Sequence, residues 1–352
     1  MGTFCGVIMV VLMYLLAKEL LENEKISLLC TFIFAFDFMH YTQTRLATVD
    51  SYLVMFVMLM FLFVIKWAKM PLHTNRTEAY LNLLLSGIFM GCAVAVKWNG
   101  AYGAAGLAVY FFISLWLKYR HAATAENRDK KENFRVAAAT CLWCVLCFVV
   151  LPFMIYFASF APVINADGLK ATFTDFVNYQ IHMFNYHSQL EAEHFFSSMW
   201  YTWPVMIKPI WYSVTRMGQE VSTISAFGNP AVWLPMVPCL GITLAKAIKG
   251  KDRRGIPVLA GYLGCYLPWV LVTRLAFIYH YFPATVFGVL AIGYRLLPVA
   301  ENTEENKKDK LLAVYSAIVF ICFMVFLPVI SGIPAGRDFV DSLELLGTWY
   351  FN

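Results

Sequence analysis

The octapeptide RLATVDSY, residues 45–52, sets Arg45 and Asp50 five positions apart between two long apolar runs. Two further polar breaks follow: KWNG at 97–100, with Lys97 and Trp98, and TRLAFIYHYF at 273–282, with Arg274, Tyr279, His280 and Tyr281. Ionisable groups at the edge of hydrocarbon are costly, which makes each a candidate functional residue. Cations gathered at one end of a helical bundle, between low-dielectric walls, form a cradle for a phosphate or diphosphate at lipid headgroup height. Arg45, Lys97 and Arg274 are the expected phosphate-binding set. Each residue also has a plainer reading. Arg and Lys at helix ends reach headgroups along their aliphatic stems, Asp50 ahead of SYLVMF is placed to cap a helix, and His280 between two tyrosines fits an interfacial aromatic belt.

The elements that must position these residues are membrane helices. The chain has 352 residues, 60% hydrophobic and 14% charged, far more apolar than a soluble domain. Crossing the bilayer takes about 20 apolar residues as helix. Apolar runs separated by polar breaks predict an all-α polytopic bundle of about ten spans: 3–20, 26–41, 52–65, 81–96, 101–117, 136–158, 232–245, 256–272, 281–297 and 311–331. A transmembrane barrel is excluded because runs such as AATCLWCVLCFVVLPFMIYFA do not alternate. The net charge of +5 sits mostly in short loops, so nucleic acid is not an expected partner. Nine scattered cysteines read as small buried apolar residues, without a disulfide framework.

Loops 66–76, 118–135 and 246–254 are rich in Lys and Arg, and the positive-inside rule assigns them to the cytoplasm. Their spacing by even numbers of spans agrees with the span count. The opposite, extracytoplasmic face then receives the three polar breaks, a long loop 159–230 between the sixth and seventh spans, and a tail 332–352. Residues 1–352 read as one integral membrane domain with both ends outside, and the outer N-terminus raises the expectation of an upstream span. The long loop carries His182, His187 and His194 amid many aromatics, but spacings of five and seven lack the pattern of a zinc helix. No metal and no cofactor are expected. The sequon NRT at Asn75 falls in a cytoplasmic loop and reads as chance.

The succession RLATVDSYLVMF, GCAVAVKWNGAYG, HSQLEAEHFFSSMWYTWPVMIKPIWYS, RLAFIYHYFPATVF and FLPVISGIPAGRDFVDSLELLGTWYF resembles the protein O-mannosyltransferase family over nearly the whole chain. The resemblance implies the GT-C membrane fold. It also implies transfer of mannose, with inversion, from a polyprenyl (dolichyl-type) phosphate donor to Ser or Thr hydroxyls of secreted or membrane proteins. Carried over by position, Arg45, Asp50, Lys97, Trp98, His194, Trp203, Arg274, Tyr279, His280 and Tyr281 match the family's outer motifs. Members bear an adjacent Asp-Glu pair in a first outer loop, the Asp being the proposed base. No adjacent Asp-Glu occurs here, so the catalytic residue is unassigned and the chain is expected to lack the family's first span and loop. The absence of a lectin-like insert in loop 159–230 favours a prokaryotic-type enzyme in a cell membrane. Pairing with itself or with a second chain is left open. Alternatives are another GT-C transferase acting on lipid or polymer, a non-catalytic lipid-binding partner subunit, or a transporter; the last is disfavoured because the polar groups cluster at one face, without a repeat.

Overall fold

The computed structural model describes residues 1–124, 129–164, 173–189, 193–250 and 252–352. Helices dominate it in the order α1 Gly2–Leu21, α2 Glu24–Ala35, α3 Phe38–Arg45, α4 Asp50–Lys69, α5 Arg76–Val96 and α6 Gly100–Thr124. α7 Lys130–Val145 continues through a π-helical turn, Leu146–Val150, into α8 Leu151–Ser159. Pro152 brings no N–H and crowds the carbonyl one turn back, which accounts for the widened turn ahead of it. α9 Ala161–Ile164 and α10 Phe173–Ser188 lie in the long loop, and α11 Pro230–Ile248, α12 Gly255–Tyr266, α13 Phe282–Asn302, α14 Glu305–Ser331 and α15 Arg337–Ser342 complete the set.

Eight of the predicted spans are helices long and apolar enough to cross a membrane. The other two are interrupted. Span 26–41 breaks at Phe36 and Asp37 into α2 and α3, and span 256–272 is α12 tightening into a 3-10 turn, Leu267–Leu271. The long loop holds an element that hydropathy does not show. β1 Ile210–Met217 and β2 Glu220–Ala226 form an antiparallel hairpin turning at Gly218, and β3 Ala335–Gly336 adds to β2 from the tail. The alternation Val221, Thr223, Ser225 inward on β2 is a period-2 signal too short and too polar to stand out among apolar spans.

α13 forms the centre of the bundle: 78% of the most apolar part of Ile278–Val299 is buried, against 17% of Lys130–Ser159 and 28% of Glu305–Ser331. The outward faces of those last two carry exposed apolar side chains such as Leu142, Val149 and Ile321, a surface that suits lipid. α6 packs on α12 so closely that a Cβ at Gly264 would stand 2.6 Å from Gly106 Cα, and one at Gly106 would overlap the Ala260 carbonyl oxygen. Small residues permit such backbone-to-backbone approach between membrane helices. Asn75, the sequon residue, is the N-cap of α5, its side chain accepting from Thr77 N at 3.0 Å.

Asn229 ties three helices at one buried point. Its side-chain oxygen caps α11 at Ala231 N (3.0 Å), and its amide donates to the carbonyls of Phe36 at the α2 break (3.0 Å) and Val319 on α14 (3.1 Å). Asn229→Ala removes both amide donations and the α11 cap and is expected to cost about 2–4 kcal/mol. A lowered midpoint of thermal unfolding in detergent would register the loss, and an unchanged midpoint would refute it.

Candidate functional site

The break between α5 and α6 is built from KWNG. Lys97 caps α5 with extended backbone, and Gly100 allows the immediate reversal, since a Cβ there would stand 2.5 Å from the Ala93 carbonyl carbon. α4 begins at Asp50, whose carboxylate is buried and takes the Lys97 ammonium at 2.9 Å. The capping role is thus not what Asp50 does in its first turn: the cap position is Val49, and Asp50 orients a cation. The same ammonium lies 5.2 Å over the Tyr279 ring. Tyr279 is stacked on His280 at 4.4 Å, His280 lies 4.4 Å from Trp269, and Trp203 runs nearly parallel to His280 at 6.1 Å.

A cleft of about 540 Å3 opens beside this stack. Lys97, Trp98 and Asn99 form one wall and Trp269 and Arg274 another, while Tyr156 on α8 and His187 on α10 close it from the long loop's side. Trp98 donates its indole N–H to Tyr156 OH at 2.6 Å, and Tyr156 OH in turn donates to Gln180 Oε1. Two polar atoms of the lining are buried without a partner among the described residues: the acceptor Asn99 Oδ1 and the donor Trp269 Nε1. Buried polar groups are nearly always satisfied, so an orphan acceptor and an orphan donor in one cleft point to a hydroxylated ligand or ordered water that completes them.

The remaining predicted residues sit in different layers. Arg45 is exposed, donates to Tyr41 OH at 2.6 Å and stacks 4.7 Å over that ring; it stands outside the cleft lining, near the end of the same polar break as Asp50. Trp203 and Tyr281 are fully buried, with Trp203 Nε1 donating to Ser198 Oγ and Tyr281 OH meeting Tyr262 OH at 2.7 Å, so they support the stack from beneath. His194 packs edge-on against Phe277 of the TRLAFIYHYF segment at 5.0 Å. Asn99, Tyr156 and Trp269 are cleft residues that sequence reasoning did not single out, and His187 was noted there only as one of three loop histidines weighed for metal. Asn99 was adjacent to the KW pair, whereas the others reach the cleft only through packing.

His187 is held below its ordinary value, first by loss of hydration and then by the Arg274 charge. The group therefore stays neutral where an unfolded chain would take a proton, so its contribution to stability is present above about pH 6.5 and is lost as pH falls through its lowered value. Arg274→Gln removes the second cause. The His187 imidazole in that variant is expected to titrate at a higher pH than in the parent when followed by NMR, and an unmoved titration would separate the two residues.

Sequence comparison draws on the whole chain. Residues 172–349 match the C-terminal four-transmembrane region of protein-O-mannosyltransferase, and residues 2–166 match the dolichyl-phosphate-mannose-protein mannosyltransferase family. The chain belongs to the protein O-mannosyltransferase family. As such it is a multi-pass membrane glycosyltransferase. The polyprenol-phosphate-mannose–protein mannosyltransferase of Mycolicibacterium smegmatis is 23% identical over 99% of this chain and 76% of its own length. In fold, the Saccharomyces cerevisiae Pmt1-Pmt2 complex bound to the sugar donor superimposes with a TM-score of 0.85 at 14% identity, covering 100% of this chain and 80% of the yeast one. An Archaeoglobus fulgidus oligosaccharyltransferase is more distant, at TM-score 0.51 and 12% identity over 97% of this chain and 46% of its own. The mannosyltransferase fold thus spans both halves of the bundle, with the cleft at their junction: Lys97 comes from the first matched region and Arg274 from the second.

Proposed function

We propose that this mannosyltransferase transfers mannose from a polyprenyl-phosphate donor to Ser or Thr hydroxyls of secreted or membrane proteins, at the extracytoplasmic face of a cell membrane. The observation that carries the proposal is the shared cleft, where Lys97 and Arg274 flank the unpartnered Asn99 Oδ1 and Trp269 Nε1. The cations suit the donor phosphate, and the orphan acceptor and donor suit sugar hydroxyls. In the reaction, the acceptor hydroxyl gives its proton to a general base and its oxygen bonds the anomeric carbon. The bond from that carbon to the phosphate oxygen breaks, and its electron pair leaves on the polyprenyl phosphate. Lys97 and Arg274 stabilise the charge that develops there. Asp50, engaged by Lys97, is assigned to holding that ammonium in place. Arg45, exposed beside the same break, is assigned to the donor headgroup as it enters. Pairing with a second mannosyltransferase chain is part of the proposal, on the precedent of the two-chain yeast complex.

Asn99→Leu and Trp269→Phe test the sugar half of the reading. Each removes one hydrogen-bonding group of the lining, and each is expected to lower transfer about 10- to 100-fold if that group meets a mannose hydroxyl. Purified chain, synthetic donor and an acceptor peptide would be assayed, with mass spectrometry of the product to distinguish a glycosylated peptide from a glycosylated lipid. Unchanged rates in both variants would remove the sugar from this part of the cleft.

A further inference from the structure

We propose that a second cleft, at the opposite end of the bundle from Lys97, binds a phosphate-ester anion. It measures about 620 Å3 and is lined by α1, α4, α6, α12 and the loops between them. α6 starts beside Lys97 and reaches Lys118 in this cleft 18 residues after Gly100, about 27 Å along the helix axis, so the two clefts are separate.

The charges around it are unevenly matched. Glu19 and Glu22 share the single Lys69 ammonium, which leaves one carboxylate charge over, and Arg254 is engaged by Asp252 at 2.9 Å. Lys118 and Arg253 line the cleft with no carboxylate partner among the described residues. The Lys118 ammonium lies 3.7 Å over the Trp67 ring and donates to the Trp67 carbonyl, which occupies one of its three N–H donors. The other two are available to an anion held against the indole. Arg253 is exposed and offers a planar fork that fits phosphate oxygens in pairs. Behind these cations the lining is apolar, with Leu20, Ile65 and Leu117. A cationic rim over an apolar floor at the end of membrane helices matches a phosphate carrying acyl chains, so the headgroup of an anionic lipid is the favoured source and free phosphate the other.

The test uses the full chain purified in detergent, with bound lipid counted by native mass spectrometry. Phosphatidylglycerol, phosphatidylcholine and inorganic phosphate are added separately. Phosphatidylglycerol is expected to be retained at least tenfold better than phosphatidylcholine. Lys118→Met and Arg253→Gln should each reduce that retention at least fivefold, with Lys118→Arg restoring it. Displacement of the lipid by millimolar inorganic phosphate would identify the shared anion site with free phosphate as an effective occupant, whereas no displacement supports the lipid alone. Equal retention of the two lipids, or full retention in the Arg253→Gln variant, overturns the proposal. Arg253 is exposed, so that variant does not depend on the fold surviving a buried change. Mannose transfer at the Lys97 cleft is measured in parallel, so failure at one end is distinguishable from failure at the other.

Discussion

Lys97→Met is expected to lower mannose transfer by about 10²–10³-fold, the range seen when one charge-stabilising group is removed from a reacting centre. Two physical effects meet at this position. The variant takes away a cation that lines the cleft, and it strands the carboxylate of Asp50, whose side chain is 6% exposed, without its 2.9 Å partner. Stranding a buried charge alone costs about 3–5 kcal/mol, so lost activity could come from a disturbed fold instead of lost chemistry. The double variant Asp50→Asn, Lys97→Met separates them. Removing both charges relieves the stranded carboxylate, and thermal stability is expected to recover while transfer stays low. Lys97→Arg keeps the charge but not the shape of the head, and is expected to retain more transfer than Lys97→Met. The measurement is kcat and KM with purified donor; a Lys97→Met enzyme that keeps more than a tenth of the parent rate would detach the ammonium from catalysis.

Gly106→Leu is expected to abolish accumulation of the folded protein. A side chain at this position has nowhere to go, because its first carbon already overlaps the Ala260 carbonyl on α12 and Gly264 Cα lies close by. Overpacking of this kind typically costs about 1–3 kcal/mol where side chains can shift, and more where the obstacle is backbone. The damage would extend to the site, since α6 leads out of the Lys97 break and α12 runs by way of its 3-10 turn to Arg274. Gly241→Ala on α11 is the matched control, with open space at its Cβ, and is expected to leave folding intact. Fluorescence-detected size-exclusion chromatography of the two variants reads the difference. A monodisperse Gly106→Leu peak of parental height would mean that the two helices can part without loss.

Some of the site was legible because its signal is local. KWNG and RLATVDSY announce themselves as polar breaks between apolar runs, and Lys97 with Asp50 duly face each other across two helix ends. The orphan polar atoms of Asn99 and Trp269 were not legible, because being unpartnered is a property of every neighbour that fails to reach them. Arg45 shows the reverse difficulty: its type and spacing equal those of a cleft cation, yet Tyr41 one turn back offers a hydrogen bond and a ring face that hold it outside the lining. The hairpin of β1 and β2 escaped hydropathy because its buried face includes Thr223 and Ser225, whose inward placement depends on the neighbouring helices and tail.

The sequence by itself determined that this chain is a membrane bundle, roughly where its helices run, which end gathers the unusual polar residues, and which family its motifs resemble. Those properties follow from the length of apolar runs and from motifs whose members lie close together in the chain. The tertiary structure alone decided that Lys97 and Arg274 share a cleft while Arg45 is held outside its lining, that α6 and α12 touch through glycine, and that Asn229 joins three helices. Each of these depends on groups far apart in the chain meeting to within a few ångströms, and close packing of whole helices sets those distances.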